Sequence, residues 1–501
     1  MGATPRLDTE DRPLSAAAIP ADEFARMRAE NLARWPTGAE VDIDEACAFH
    51  KSLPKHKQLG WVMRRAAEEG RCLTQPRGGF GTLELQLELM RALDEDGLAD
   101  IVPTTTDSYT RNEQWNEAAT GIEESKRQGR SMLNGYPMVN YGPRETRKLI
   151  ESISKPAIVL SGTAMPRLTA EIGFAAGYSG YLGSGIAYTT SYTKNTSLAE
   201  GIRNYQYLDR LAALYMENGV ELHRRQPGFL TGTNIPPSIA IVVGVLDALL
   251  AAGQGVRNYG LELGQTLHLI QDSAAIRVCG ELAREYLSAA GFDGMFMPVT
   301  SLHWMGAWPQ DAAQAQALIA YGGTLAAVSG AVSVTTKSTH EAYGIPTPEA
   351  NAEGLRTTRM AIYLARRIRL DELPEFKTEV DLIQREARPV LDKVLEMGDG
   401  DAAIGAVKAL EAGVLDIPWS PNRFVKSRVM PARDADGYLR IFDAADMPIP
   451  KDVMDIHHER LRKLAEKEGV PFDNELAVKS VYEISEPLDR LIPFPWAGDQ
   501  D

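Results

Sequence analysis

The feature that most constrains the fold of this chain is a regular alternation of short apolar runs with longer amphipathic stretches. From residue 72 to residue 335 the runs end in polar or glycine-rich segments, and helical stretches lie between most of them. Strands and helices that alternate at this spacing predict a parallel sheet covered by helices. The candidate strands are 72–73, 100–103, 132–135, 157–160, 178–181, 219–222, 256–259, 294–299 and 331–335.

One of these nine candidates is expected to be false, because eight βα units make a barrel of about 250 residues. The predicted fold class is therefore α/β, with a (β/α)8 TIM barrel at residues 59–350. Residues 1–58 are predicted to be a helical lead-in that is partly disordered. Residues 351–501 are predicted to be a mostly helical extension.

Charge and composition exclude several classes of function. The chain has 501 residues and a formal charge of −15, which disfavours nucleic-acid and membrane-surface partners because both require a basic surface. The most apolar stretch, 239–252, is shorter than a membrane span. Cys47, Cys72 and Cys279 lie far apart, which predicts reduced thiols in a cytoplasmic protein. Residues 1–20 lack the apolar core of a signal peptide.

The common catalytic motifs are absent from the sequence. Residues 260–264 (GLELG) lack the three-glycine spacing of a dinucleotide-binding turn. His457 and His458 are followed by Glu459, but a metallopeptidase helix needs histidines four residues apart with a glutamate between them. A solvated helix face explains these three residues better, so we predict no metal bound by this chain.

Polar side chains follow many of the candidate strands, at the end where barrel enzymes carry their active sites. Arg77 follows the first run in a turn with Gly78 and Gly79, where a plain surface arginine is the alternative interpretation. Arginine offers a planar fork of donors that suits a carboxylate or phosphate. The polar residues after the later runs include Thr105, Arg111, Asn134, Ser161, Tyr188, His303, Lys337 and His340.

Several strings of residues carry a family resemblance. They are QPRGGF at 75–80, DSYTR at 107–111, LNGYP at 133–137, LTGT at 230–233, PPS at 236–238, WMG at 304–306, PQD at 309–311, HEA at 340–342, GIPT at 344–347 and EAN at 349–351. In this order, from about residue 59 to about residue 431, the chain resembles the large (epsilon) subunit of glutamate mutase, also called methylaspartate mutase.

The resemblance implies an isomerase whose (β/α)8 barrel caps adenosylcobalamin and rearranges a carbon skeleton by radical chemistry, as in the conversion of L-glutamate to 3-methylaspartate. A separate small subunit of that family holds the cobalamin through an Asp-x-His-x-x-Gly motif. Here Asp455 and His457 are not followed by the glycine. The resemblance therefore implies a small cobalamin-binding partner, a homodimer of this chain within a heterotetramer, and neither nucleic acid nor membrane.

The resemblance also implies site residues. Those on the cofactor side are Gly79, Thr105, Asn134, Ser191, Trp308, Lys337, Glu341 and Ile345, with Ser191 in place of the usual proline and Trp308 in place of the usual phenylalanine. Those on the substrate side are Arg77, Arg111, Leu160, Leu182, Tyr188 and Tyr192. The residues implied to be catalytic are Arg77, Arg111, Tyr188, Lys337 and Glu341. An i,i+4 ion pair is the structural alternative for Lys337 and Glu341, and packed aromatics for the tyrosines.

Two departures from the family pattern concern the substrate. Leu160 stands where the family has a third arginine, and Leu182 stands where it has a glutamate. Leucine provides neither a carboxylate clamp nor a counter-charge for an ammonium group. Three hypotheses remain: glutamate rearrangement, the same chemistry on a less polar carboxylic acid, and a non-catalytic partner of a cobalamin subunit.

Overall fold

A parallel sheet that curves into a barrel forms the centre of the protein. The computed structural model describes residues 12–228 and 234–485. Within these residues eight strands follow the order β1-β8-β7-β6-β5-β4-β3-β2, all parallel. They are β1 Leu73–Gln75, β2 Val102–Thr105, β3 Ala157–Leu160, β4 Gly180–Leu182, β5 His223–Gln226, β6 Tyr259–Gly264, β7 Val299–Leu302 and β8 Ser333–Thr335.

The gap between β1 and β2 is bridged just beyond the sheet, where Thr105 N–H donates to the carbonyl of Gly78 at 2.8 Å. The predicted (β/α)8 barrel is confirmed. Register places Leu160 beside Thr105, Leu182 beside Leu160 and Arg225 beside Leu182. The carboxyl ends of these strands therefore carry neighbouring side chains around one mouth.

Helices surround the sheet and extend beyond it. In the described ranges they are α1 Ala21–Leu32, α2 Ile43–Ser52, α3 Leu59–Glu68, α4 Leu83–Glu95, α5 Ser108–Arg111, α6 Trp115–Gln128, α7 Met138–Glu151, α8 Arg167–Ala176, α9 Gly185–Tyr192, α10 Leu198–Glu217, α11 Pro237–Gly253, α12 Leu269–Ala289, α13 Ala312–Ser329, α14 Pro348–Ala365, α15 Pro374–Met397, α16 Ala402–Ala412, α17 Lys451–Glu468 and α18 Asn474–Ser485. A hairpin of β9 Met430–Arg433 and β10 Leu439–Asp443 lies between α16 and α17. Most of the core lies between the sheet and the inner faces of these helices.

Four of the predicted strands differ from the structure. Residues 132–135 are not a strand, although Leu133 is buried, because its side chain packs against Gly121 of α6 rather than within the sheet. This segment is the false candidate among the nine. Strands β5, β6 and β7 begin four, three and five residues later than predicted at 219–222, 256–259 and 294–299. For β5 the polar sequence His-Arg-Arg-Gln explains the shift, since buried side-chain partners replace the apolar signal.

The N-terminal segment is more ordered than its composition predicts. Ile19 is 2% exposed, and its N–H donates to Gln254 Oε1 at 2.9 Å. Ala16 N–H donates to both carboxylate oxygens of Asp401. Residues 15–19 are therefore held against the rest of the protein, while residues 1–11 lie outside the described part of the chain. The matched string at 230–233 and the chain beyond residue 485 lie outside it as well.

The C-terminal extension packs on the barrel helices. Its longest helix, α15, contacts α11 and α12, and α11 is buried along most of its length. In the described part of the chain, no helix is long and apolar enough to cross a membrane.

Candidate functional site

A partly open cavity lies at the carboxyl ends of the barrel strands, the end at which barrel enzymes carry their active sites. Seven residues predicted from the sequence line it together: Arg77, Thr105, Arg111, Leu160, Leu182, Tyr188 and Tyr192. They come from the ends of β1 to β4, from the short helix α5 and from α9. The barrel thus brings together side chains that are more than 100 residues apart in the sequence.

Two arginines give this cavity its charge. Arg77 contacts the sulfur of Met305 at 3.9 Å, and Arg111 donates through Nε to the carbonyl of Thr106 at 2.8 Å. Neither arginine forms an ion pair with a carboxylate among the residues that the structure describes. Burial lowers the pKa of Arg111, and the charge of Arg77 lowers it further. A guanidinium nevertheless stays protonated in proteins, so both remain cations with unused donors.

Local structure fixes the position of Arg111. It ends the short helix α5, which Asp107 caps by accepting the N–H groups of Tyr109 at 2.9 Å and Thr110 at 3.1 Å. Beside it lies Gly162, with φ of +58°, where an added Cβ would come within 3.2 Å of Arg111 Nε. The glycine therefore leaves the space that this guanidinium occupies.

Two tyrosines on α9 form another wall. The rings of Tyr188 and Tyr192 meet edge to face with centroids 4.7 Å apart. Burial raises the pKa of Tyr188 far above its usual value and that of Tyr192 to about 12, so both hydroxyls stay protonated and can donate. Asp247 holds the start of α9, where it accepts the hydroxyl of Ser184 at 2.6 Å and the N–H of Ile186 at 3.0 Å.

The C-terminal extension contributes to the position of α9. Asn422 donates through Nδ2 to the carbonyls of Thr189 and Thr196, each at 2.9 Å. Ser420 donates through its hydroxyl to the carbonyl of Thr190 at 2.6 Å. A loop that follows the last helix of the barrel by more than 50 residues therefore holds the helix that carries both pocket tyrosines.

Lys337 and Glu341 form an ion pair at the end of β8, with Nζ 2.5 Å from Oε2. Lys337 Nζ also lies 6.0 Å from the ring centroid of Trp308. Burial lowers the pKa of Lys337 to about 8, since Glu341 offsets only part of this effect and Arg77 adds to it. This contact is the i,i+4 ion pair that the sequence analysis gave as the structural alternative. The ammonium group of Lys337 nevertheless has further N–H donors that can bind a ligand.

The remaining predicted cofactor residues lie in different settings. Thr105 Oγ1 and Ser191 Oγ are buried without a hydrogen-bond partner. A Cβ at Gly79 would collide with the carbonyl oxygen of Thr105, so this glycine is required for two loops to meet. Asn134 and Ile345 are exposed, and Asn134 Oδ1 accepts the N–H of Ser108 at 2.9 Å.

Four polar residues at the base of the cavity were missed by the sequence analysis: Gln75, Arg225, Glu262 and Thr335. Gln75, Glu262 and Thr335 line the cavity, and Arg225 lies beside Glu262 with 3.7 Å between Nη1 and Oε2. Arg225 was missed because β5 was placed too early. Glu262 was missed because the strand was predicted at 256–259, whereas β6 runs from Tyr259 to Gly264.

The histidines of the described chain show no metal site, and no group of three His, Cys, Asp or Glu residues there could hold a metal ion. His303 is fully enclosed, and burial lowers its pKa to about 3, with Lys337 adding to the shift. His457 is buried with Nε2 3.2 Å from Glu386 Oε1. Both histidines are therefore buried parts of the fold.

Comparison with known proteins agrees with this geometry. The family model of the methylaspartate mutase E chain matches residues 53–492. The chain is 43% identical to the glutamate mutase epsilon subunit of Desulfitobacterium hafniense, over 93% of this chain and 96% of that protein. It is 40% identical to the epsilon subunit of Treponema denticola over 93% and 96%, and 39% identical to that of Escherichia coli O157:H7 over 95% and 98%.

Proposed function

The chain belongs to the methylaspartate mutase E chain family, so it is a mutase, an isomerase, and we propose that it is the barrel subunit of an adenosylcobalamin-dependent carbon-skeleton mutase. One observation carries the proposal. Arg77 and Arg111 face one cavity at the active-site end of the barrel without a carboxylate partner in the described chain. Two unpaired guanidinium groups there favour a carboxylate substrate.

In this proposal Arg77 and Arg111 clamp the substrate carboxylate, and the hydroxyls of Tyr188 and Tyr192 donate hydrogen bonds to it. The wall of Leu160 and Leu182, each 7% exposed, excludes water from the reacting carbon atoms. His303 is neutral and is given no role in proton transfer. The proposed hydrogen-atom transfers do not require a proton donor or acceptor.

The residues on the cofactor side fit an adenosyl group. Thr105 presents a buried hydroxyl without a partner at the cavity wall, and Lys337 with Glu341 offers donors and acceptors after the end of β8. These are the groups that ribose hydroxyls and an adenine ring require. Trp308 offers an aromatic face beside Lys337. When bound, adenosylcobalamin supplies the radical hydrogen-transfer chemistry that side chains cannot perform.

A small cobalamin-binding subunit completes the proposed enzyme in the cytoplasm, within a heterotetramer that contains two copies of this chain. The motivation is the missing Asp-x-His-x-x-Gly motif, since the only similar stretch ends in the buried His457. Several large apolar side chains stand exposed on α5 and on the loops after α6 and β8, and they suit a protein surface laid over the barrel mouth: Tyr109, Met132, Tyr343 and Ile345. We keep 1–58, 59–350 and 351–501 as the proposed domain limits.

A second candidate concerns the substrate. Leu160 and Leu182 line the cavity where a glutamate mutase of the usual pattern would need charged partners. This observation favours a carboxylic acid less polar than L-glutamate. No observation favours a non-catalytic role, because the charged cavity is intact.

The test uses the purified chain with its small subunit and adenosylcobalamin, and follows L-glutamate and less polar dicarboxylic acids by NMR. The proposal is supported if one acid is isomerised when both proteins are present and no acid is isomerised when one of the two proteins is left out. Tight stoichiometric binding of cobalamin by this chain alone contradicts the two-subunit proposal. Rapid formation of 3-methylaspartate from L-glutamate contradicts the changed substrate.

A further inference from the structure

An ion pair lies at the base of the cavity, between strands β5 and β6. Arg225 is fully buried and Glu262 is 3% exposed, with 3.7 Å between Nη1 and Oε2. Glu262 is the one acidic side chain that lines this cavity among the described residues. It is therefore the one candidate there for binding a positive charge on the substrate.

Hydrogen bonds from the protein already occupy Glu262. Its Oε1 accepts the N–H of Gly228 at 3.2 Å, and its Oε2 accepts the hydroxyl of Thr335 at 2.7 Å. With Arg225 beside it, the carboxylate has two hydrogen bonds and a counter-charge before any ligand enters. An ammonium group therefore gains little from this carboxylate and still loses its hydration.

Arg225 has more donors than partners. Its Nη1 donates to Gln75 Oε1 at 3.0 Å, whereas Nε and Nη2 are buried without an acceptor. Together with Arg77 and Arg111, three guanidinium groups stand against one carboxylate, which leaves a surplus of two positive charges at the cavity. This surplus attracts anions and repels an ammonium group.

From this arrangement we propose that Arg225 determines specificity by neutralising Glu262, so that the site takes a dicarboxylic acid without a charged amino group. The inference rests on the proposed function, because it needs the carboxylate clamp of Arg77 and Arg111. The two acids that decide it are glutarate and L-glutamate, which have the same carbon chain and differ only in the amino group.

The experiment measures binding of each acid to the full-length chain at pH 7.5 by ligand-detected NMR with saturation over the millimolar range. Glutarate is expected to bind on the order of 10²-fold more tightly than L-glutamate, because the ammonium finds no free counter-charge. Equal binding, or tighter binding of L-glutamate, overturns the inference and leaves the clamp intact. Binding of neither acid overturns the clamp, and with it the proposed function.

Variants then assign the effect to Arg225. Arg225→Met frees the carboxylate of Glu262 and is expected to shift the ratio at least tenfold towards L-glutamate. The double variant Arg225→Met with Glu262→Gln removes both charges and is expected to return the preference to glutarate. An unchanged ratio in a folded Arg225→Met protein overturns the role of Arg225.

If Arg225→Met does not fold, Glu262→Gln decides, since glutamine keeps one acceptor oxygen for the N–H of Gly228 and can donate through Nε2 to the hydroxyl oxygen of Thr335. Loss of the negative charge is expected to favour glutarate at least threefold further over L-glutamate. An equal gain for both acids overturns the inference.

Discussion

Substitution of Gly162 by alanine isolates the contribution of Arg111 from the stability of the fold. The new Cβ would lie 3.2 Å from Arg111 Nε and 3.3 Å from Cζ, closer than ordinary contact. The guanidinium must then move by a few tenths of an ångström. Its hydrogen bond to the carbonyl of Thr106, at 2.8 Å, opposes that movement.

Two costs follow, and a matched variant separates them. Alanine at a φ of +58° strains the backbone by about 1–2 kcal/mol. Gly70, with φ of +62° and nothing within 4 Å of an added Cβ, bears the same strain without a contact. We therefore expect Gly70→Ala and Gly162→Ala to lower the free energy of unfolding equally. Displacement of Arg111 costs Gly162→Ala a further 1–2 kcal/mol or so in ligand binding, about a 5- to 30-fold loss of affinity.

Urea unfolding followed by circular dichroism measures the first cost, and ligand-detected NMR with glutarate measures the second. The expected result is matched stability with a loss of affinity in Gly162→Ala alone. Equal affinities in the two variants refute the assignment of Arg111 to the carboxylate clamp.

The cofactor side, the C-terminal loop and the leucine wall each give a further prediction. Turnover of the assembled enzyme should fall as the pH rises through about 8, because Lys337 then loses the charge that faces a ligand. The variants Lys337→Met and Glu341→Gln should lower turnover without unfolding the chain. If Lys337→Met keeps the pH profile of the unchanged enzyme, this role of Lys337 is contradicted. Asn422→Ala should cost about 1–3 kcal/mol of unfolding free energy in urea and also weaken glutarate binding, since α9 loses its anchor; intact binding would make the anchor purely structural. Leu160→Arg with Leu182→Glu should raise L-glutamate affinity relative to glutarate in the NMR titration, and no gain counts against the assignment of these two positions.

The barrel could be predicted from the sequence because its helices and most of its strands carry apolar runs. Strand β5 has none: its residues read His-Arg-Arg-Gln, and each of the first three has a buried partner elsewhere in the chain. His223 contacts Asn258, Arg224 pairs with Asp209, and Arg225 pairs with Glu262. Such partners satisfy polar groups inside a barrel, but they become visible only once the strands are placed side by side.

The cavity residues also differ in whether local sequence or long-range contacts determine their position. Arg77 and Arg111 follow strand ends that local pattern and family resemblance both mark, so the sequence places them. Helix α9 follows β4 within a glycine-rich segment that has no amphipathic pattern, and its start depends on Asp247 more than 60 residues later. Long-range hydrogen bonds of this kind cannot be inferred from local propensity.

The contrast between paired and unpaired arginines supports the proposal that this cavity binds an anionic ligand. Arg224 pairs with Asp209 at 2.7 Å, and Arg440 pairs with Glu379 at 2.7 Å and with Asp434 at 2.9 Å. None of these paired residues lines the cavity, and each pair compensates for the removal of a buried charge from water. Arg77 and Arg111 have no such compensation in the described chain, so their desolvation cost is offset only when an anion enters. Because Arg225 offsets the negative charge of Glu262, the cavity keeps a net positive charge that favours an anion.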